Sequence, residues 1–218
     1  MQPEFSRAHP HRGQSVFTYG ARLEEARAAL IMLHGRGASA QDILSLANEL
    51  EQPGFAFLAP QAAGNTWYPN RFTAPTEQNE PWLSSALAVI GELLSFVGSS
   101  GIPPERTMLL GFSQGACLAL EYAARNARRY GGVIGLSGAL IGADDAPRNY
   151  TGSLDATPVF LGCSDVDFHI PRERVDQAAE TLKALGADVT ERIYPNMDHT
   201  VNQDEIDFVG QMMKNLLK

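Results

Sequence analysis

Five short apolar runs, separated by stretches of helical periodicity, constrain the fold more than any other feature. They are AALIML (28–33), FAFLAP (55–60), RTMLLGF (106–112), GGVIGLSG (131–138) and PVFLGCS (158–164). Runs this short and this uniformly apolar fit strands buried on both faces. SVFTYG (15–20) alternates like a first strand, and DVTERIY (188–194) reads as a last one. Between them lie helical patterns at 39–51, 82–97, 114–127, 172–186 and 203–217. In the first of these, Ser39 is a candidate cap and Ile43, Leu44, Leu46, Ala47 and Leu50 fall on one face. Strands alternating with helices require crossover connections. The expected class is therefore α/β, with a mostly parallel central sheet and helices on both faces. In such sheets the site lies at the carboxyl ends of the strands.

A chain of 218 residues suffices for one sizeable core, so 1–218 is expected to form a single domain, with 1–13 as a polar N-terminal tail. A formal net charge of −8 disfavours nucleic acid and anionic membrane surfaces as partners. No window reads as a long uninterrupted apolar run, so no integral membrane association is expected. The first fifteen residues lack the apolar region of a signal peptide, and a cytoplasmic location is expected. Cys117 and Cys163 sit in apolar contexts without CxxC spacing and read as buried free thiols. Neither metal nor cofactor is expected. A homo-oligomer is compatible with the sequence but not written in it.

The chemistry is concentrated at LLGFSQGACLAL (109–120). Ser113 stands where a strand turns into a helix, with glycines two residues before and two after. This is the pattern of a nucleophile elbow, a turn so abrupt that neighbouring backbone leaves no room for side chains at 111 and 115. It presents the Ser113 hydroxyl at a helix N-terminus, where developing negative charge is favoured. A serine nucleophile needs a base. His9 and His11 read as solvated tail residues, and His34 as a buried imidazole shaping the loop HGRG. His199, in NMDHT between the last strand and the last helix, follows Ser113 in the order Ser…Asp…His and is the expected base. The acid should follow strand 158–162, where Asp165 and Asp167 both stand. His169 reads as a loop residue that helps order the acid, and Asp198, Asp144 and Asp145 as loop or solvated carboxylates. Backbone N–H groups of Gln114 and Arg36 are the expected oxyanion donors. Trp67, Tyr68 and Phe72 could wall a substrate pocket or pack on the core. The loop 139–156 could line the other side.

LHGRGASAQDI, GFSQGACLAL, DFHIP and MDHT together resemble the bacterial phospholipase/carboxylesterase family of α/β-hydrolases, the branch that includes acyl-protein thioesterases. The likeness runs from about residue 28 to 217. It implies an α/β-hydrolase fold without a large cap domain and metal-free hydrolysis of carboxylic esters. It carries over Ser113 as nucleophile, Asp167 as acid, His199 as base, and Arg36 with Gln114 as oxyanion donors. For the acid, counting forward from Gly162 favours Asp165. Counting back from HIP, whose Pro171 anchors the next helix, favours Asp167, the residue adopted here. The chain departs from the thioesterase branch in carrying Arg36 for an apolar residue, Leu161–Gly162 for His–Gly, and Phe168 for a proline. The expected function is a serine carboxylesterase acting on small to medium esters through an acyl-enzyme on Ser113. The alternatives are a lysophospholipase or acyl-protein thioesterase with the same triad and, more remotely, a non-catalytic binding protein.

Overall fold

The computed structural model describes residues 9–50 and 52–218. Seven strands form one sheet: β1 (Val16–Gly20), β2 (Ala28–Leu33), β3 (Phe55–Pro60), β4 (Thr107–Phe112), β5 (Gly132–Leu136), β6 (Pro158–Ser164) and β7 (Asp188–Tyr194). Their spatial order is β1-β3-β2-β4-β5-β6-β7. Only β1 runs antiparallel to its neighbour; the other five pairings are parallel.

Alternation along the strands separates two cores. In β2, Ala29, Ile31 and Leu33 face one side while Ala28, Leu30 and Met32 face the other. A period of two sends successive side chains to opposite faces, so a strand between two helical layers is apolar at every position. The first face is covered by α2 (Trp82–Ser99), α3 (Gln114–Arg125) and α4 (Arg172–Ala184). The second is covered by α1 (Ala40–Leu44) and α5 (Gln203–Leu216). This is the α/β-hydrolase arrangement, and among the described residues no large cap covers the strand ends.

Three differences from the sequence reading have local causes. The helix expected over 39–51 is α-helical only through Leu44 and tightens into a 3₁₀ turn over Ser45–Asn48. There the Ser45 hydroxyl donates to the Asp42 carbonyl at 2.7 Å, competing with the helical pattern. Residue 51 lies outside the described residues. β5 ends at Leu136 because Ser137 adopts φ +51° and turns its N–H to the Gly162 carbonyl at 2.7 Å. α2 is long and apolar enough, by length and composition alone, to cross a membrane, which corrects the expectation that no stretch is. Leu83, Ala86, Ile90, Leu94 and Val97 of this helix are buried against the sheet.

The tail expected over 1–13 divides. Residues 1–8 lie outside the described residues, and His9 is exposed. His11, expected to be solvated, is 2 % exposed. Its Nδ1 accepts from the Ala63 N–H at 3.1 Å, so its Nε2–H donates to the Trp67 carbonyl at 2.9 Å. Its ring packs edge-on against Trp82. A histidine read from local polarity as solvated is thus a brace for residues 52 to 71 positions away.

Candidate active site

Ser113 sits between the last residue of β4 and the first of α3 with φ +55° and ψ −116°, a conformation costly for any residue with a side chain. The turn is held from both sides. A Cβ on Gly111 would overlap the Gly115 carbonyl, and one on Gly115 would overlap the Leu33 carbonyl. The Ser113 N–H donates to the Leu136 carbonyl at 2.9 Å, tying the elbow to β5. The hydroxyl caps nothing and is left to other chemistry.

That hydroxyl donates to His199 Nε2 at 2.9 Å. On the other side of the ring, Nδ1–H donates to Asp167 Oδ2 at 2.6 Å. Asp167 is buried, and its second oxygen accepts the backbone N–H groups of His169 at 2.8 Å and Ile170 at 3.0 Å. Burial pushes this carboxyl up, but the hydrogen bonds from His199, Ile170 and His169 outweigh it and hold it below the usual carboxylate range. Asp165 faces elsewhere. Its carboxylate accepts the Asn196 N–H at 2.8 Å and so braces the loop leading to His199. The ring of His169 lies edge-on to that of His199 with centroids 4.8 Å apart. Phe112 flanks His199 at 5.0 Å.

The N–H groups of Arg36 and Gln114 have no protein acceptor among the described residues, and both residues border the cavity that holds Ser113. Their side chains do something the sequence reading did not anticipate. Gln114 accepts from the Trp67 N–H at 2.9 Å and donates to the Tyr68 carbonyl at 2.8 Å. Arg36 donates to the Pro69 carbonyl at 2.9 Å and the Asn70 carbonyl at 2.5 Å. Both candidate oxyanion residues therefore hold one segment, 67–70. His34, fully buried, supports the same loop: Nε2 accepts the Ala62 N–H at 3.1 Å and Nδ1–H donates to the Gly35 carbonyl at 2.8 Å.

The cavity measures about 550 Å³. Tyr68 and Phe72 line it. Trp67, also a candidate wall, does not; it is fully buried, donates its indole N–H to the His34 carbonyl at 2.9 Å, and belongs to the core. The loop 139–156 does not line it either. Arg174 of α4 draws that loop away by donating to the Leu140 and Gly142 carbonyls and to Asp144. In its place stand Pro69, Asn70, Arg71, His169 and Ile170. Cys117, one helical turn after Ser113, forms part of the floor beside Tyr68, whose hydroxyl has no hydrogen-bond partner among the described residues. Burial pushes the Cys117 thiol up to about 11 and the Cys163 thiol up to about 12, so neither is a ready thiolate. Among the described residues, no group of three or more His, Cys, Asp or Glu is placed to hold a metal ion.

A hydroxyl, an imidazole and a carboxylate in one hydrogen-bonded line, beside two free N–H groups, can carry out acyl transfer. Comparison with known proteins points the same way. A structure of a phospholipase/carboxylesterase from Dyadobacter fermentans is 44 % identical and superposes with a TM-score of 0.88, covering 94 % of this chain and 97 % of that one. An acyl-protein thioesterase 1 from Aspergillus fumigatus is 28 % identical over 89 % of this chain and 90 % of its own length. One from Gibberella zeae is 36 % identical over a shorter stretch, 54 % of this chain and 51 % of that protein. The Phospholipase/Carboxylesterase family pattern matches residues 20–217. The chain belongs to the phospholipase/carboxylesterase family of hydrolases.

Proposed function

We propose that the chain is a single-domain serine carboxylesterase that cleaves small to medium carboxylic esters. The observation that carries this reading is the line Asp167–His199–Ser113, with spacings of 2.6 and 2.9 Å, beside the unpaired N–H groups of Arg36 and Gln114. Ser113 Oγ attacks the ester carbonyl carbon while His199 Nε2 takes its proton. The carbonyl oxygen becomes an oxyanion and accepts from the two N–H groups. The intermediate collapses, the carbon–oxygen bond to the alcohol breaks, and His199 returns the proton to the departing oxygen. Water then repeats the sequence on the acyl-serine, releasing the acid and restoring Ser113. Asp167 fixes the imidazole tautomer and balances the imidazolium.

The cavity of about 550 Å³, bordered by residues 68–72 and Cys117, has room for a small or medium ester. The full-length resemblance to acyl-protein thioesterases supports a second reading, the same chemistry on a longer thioester. A chain-length profile separates the two. The purified protein is expected to hydrolyse acetyl to hexanoyl esters fastest and to lose that activity in Ser113→Ala. A maximum at palmitoyl thioesters favours the second reading, and undiminished turnover in Ser113→Ala refutes both.

A further inference from the structure

The chain carries a formal net charge of −8, yet among the described residues no carboxylate lines the cavity around Ser113. Two arginines do, Arg36 and Arg71. Neither charge is neutralised. Arg36 spends two N–H groups on the neutral carbonyls of Pro69 and Asn70 and lies 5.9 Å from the centroid of the Tyr68 ring, with no carboxylate paired to it among the described residues. Arg71, the next residue along the same wall, is exposed, and its side chain makes no hydrogen bond or ion pair among the described residues. The carboxylates nearest in sequence turn elsewhere: Glu77 to the Thr76 hydroxyl, Glu80 to Ser84, and Asp42 to its own helix cap at Ser39. Asp198, beside His199, is exposed and does not line the cavity.

The guanidinium of Arg36 is also fixed in relation to the reaction. Arg36 and Ser113 border the same cavity, and the Arg36 fork is tied to the Pro69 and Asn70 carbonyls, so its positive charge is held beside the site. A planar guanidinium with free N–H groups matches an oxyanion in two-point geometry. Both side chains are exposed, and two guanidinium charges bordering one cavity attract an anionic substrate in a salt-dependent way.

We propose that the substrate of this site is an ester that carries an anionic group, a carboxylate or a phosphate, which docks on Arg71 and the charge of Arg36 while the ester carbonyl lies at Ser113. The proposal rests on the ester-hydrolase reading above and specifies its substrate class. A carboxylate on the acyl side and a phosphate on the alcohol side offer the same chemistry, and matched ester pairs distinguish them.

The test uses the full chain and pH-stat titration. One pair is ethyl butyrate against monoethyl succinate; the other is glycerol monoacetate against its 3-phosphate. At least one anionic ester is expected to show the higher kcat/KM of its pair, with the advantage mainly in KM. Roughly 0.5 M sodium chloride should erode that advantage. Arg71→Ala should lower the anionic-to-neutral ratio about tenfold to a hundredfold, the range for one charge-assisted hydrogen bond. Arg71→Lys should recover part of it, and Arg71→Glu should invert the preference. If neutral esters are cleaved as well as their anionic twins, or if Arg71→Glu leaves the ratio unchanged, the anionic-substrate proposal falls while the esterase reading stands. If no ester is cleaved, both fall together.

Discussion

Between Leu109 and Leu120 the chain is held by packed backbone; between Gln61 and Pro81 it is held by hydrogen bonds borrowed from other segments. In the elbow, Gly111 abuts Gly115, and Gly115 abuts the end of β2, so no atom can be added. In the wall, Asn79 accepts from the Asn70 N–H at 2.9 Å, Arg36 and Gln114 hold the 67–70 backbone, and His11 holds Trp67 and Ala63. Each such bond is worth about 1 kcal/mol, so the wall loosens by increments. Close-packed backbone has no such gradation; one added methyl must displace a strand or a helix. On the proposed function, the chemistry would be set in a region that tolerates almost nothing, and substrate choice in one that can be altered a bond at a time.

The comparison is tested most sharply at Ser113. Its hydroxyl takes no part in capping α3, so Ser113→Ala should leave the fold intact while lowering ester turnover by on the order of a million-fold. A phosphonate probe should label this serine and no other, which mass spectrometry of the labelled peptide would show. Native-like circular dichroism with unchanged activity in the variant would mean that the elbow is not the reacting site.

Next in size is the contrast between the two acidic residues of one loop. Asp167→Asn should lower kcat by as much as ~10⁴-fold, because the amide favours the wrong tautomer of His199 and leaves its imidazolium unbalanced. Asp165→Asn should cost far less, since an amide oxygen can still accept the Asn196 N–H. Steady-state kinetics on one ester suffices. The opposite ranking would assign the acid role to Asp165.

The difference between the two regions also explains what was legible in the sequence. Three strands, 28–33, 55–60 and 158–164, lie at the bounds their apolar pattern predicts, because parallel strands covered on both faces carry that pattern without interruption, whereas β7 lies at its expected bounds as a half-buried edge strand without it. The elbow was legible because steric exclusion writes glycine at fixed spacing. The register of the loop after β6 required Pro171 as an anchor; that count favoured Asp167 over Asp165, and Asp167 is the one hydrogen-bonded to His199. The wall was poorly legible. Trp67, Tyr68 and Phe72 are all aromatic, close in sequence and buried in one core cluster, yet of the three only Tyr68 and Phe72 also border the cavity. Nothing local distinguishes them; the choice is made by His11, His34 and Gln114 from distant segments. Arg71 showed no signal either, since an exposed arginine in a loop looks like any other solvated charge.

The histidine braces of the wall give a pH dependence that the elbow lacks. Burial lowers both His11 and His34 from the ordinary value of 6.5, because each is held neutral with one ring nitrogen accepting a backbone N–H. A lowered folded-state value means that the unfolded chain binds more protons. The contribution is full above about 6.5 and is lost as pH falls from there through the folded-state values. Glu205 acts with the opposite sign. Burial pushes it up to about 7, so its ionisation costs stability as pH rises from the ordinary value of 4.5 towards 7. The readout is therefore the difference between wild type and His11→Gln. Urea midpoints compared from about pH 8 to about pH 5 should converge on acidification, as the wild type loses a term that the variant never had. Parallel curves would mean that His11 titrates alike in the folded and unfolded chain.

The smallest expected effect falls on Gln114, which belongs to both regions. Its backbone N–H is one of the two candidate oxyanion donors, and its side chain holds the wall at Thr66, Trp67 and Tyr68. Gln114→Ala keeps the first role and removes the second. The Trp67 N–H and the Tyr68 carbonyl lose their partner, and the segment that positions Tyr68 and Arg71 gains freedom. KM should rise by about tenfold, roughly the value of one or two hydrogen bonds, while kcat stays within about threefold. Gln114→Glu sharpens the result. Its carboxylate can still accept from Trp67 but cannot donate to Tyr68, so it should recover only part of the loss. If Gln114→Ala instead lowers kcat at constant KM, the side chain acts on the reacting atoms through the elbow, and wall and elbow are not separable in the way their contacts imply.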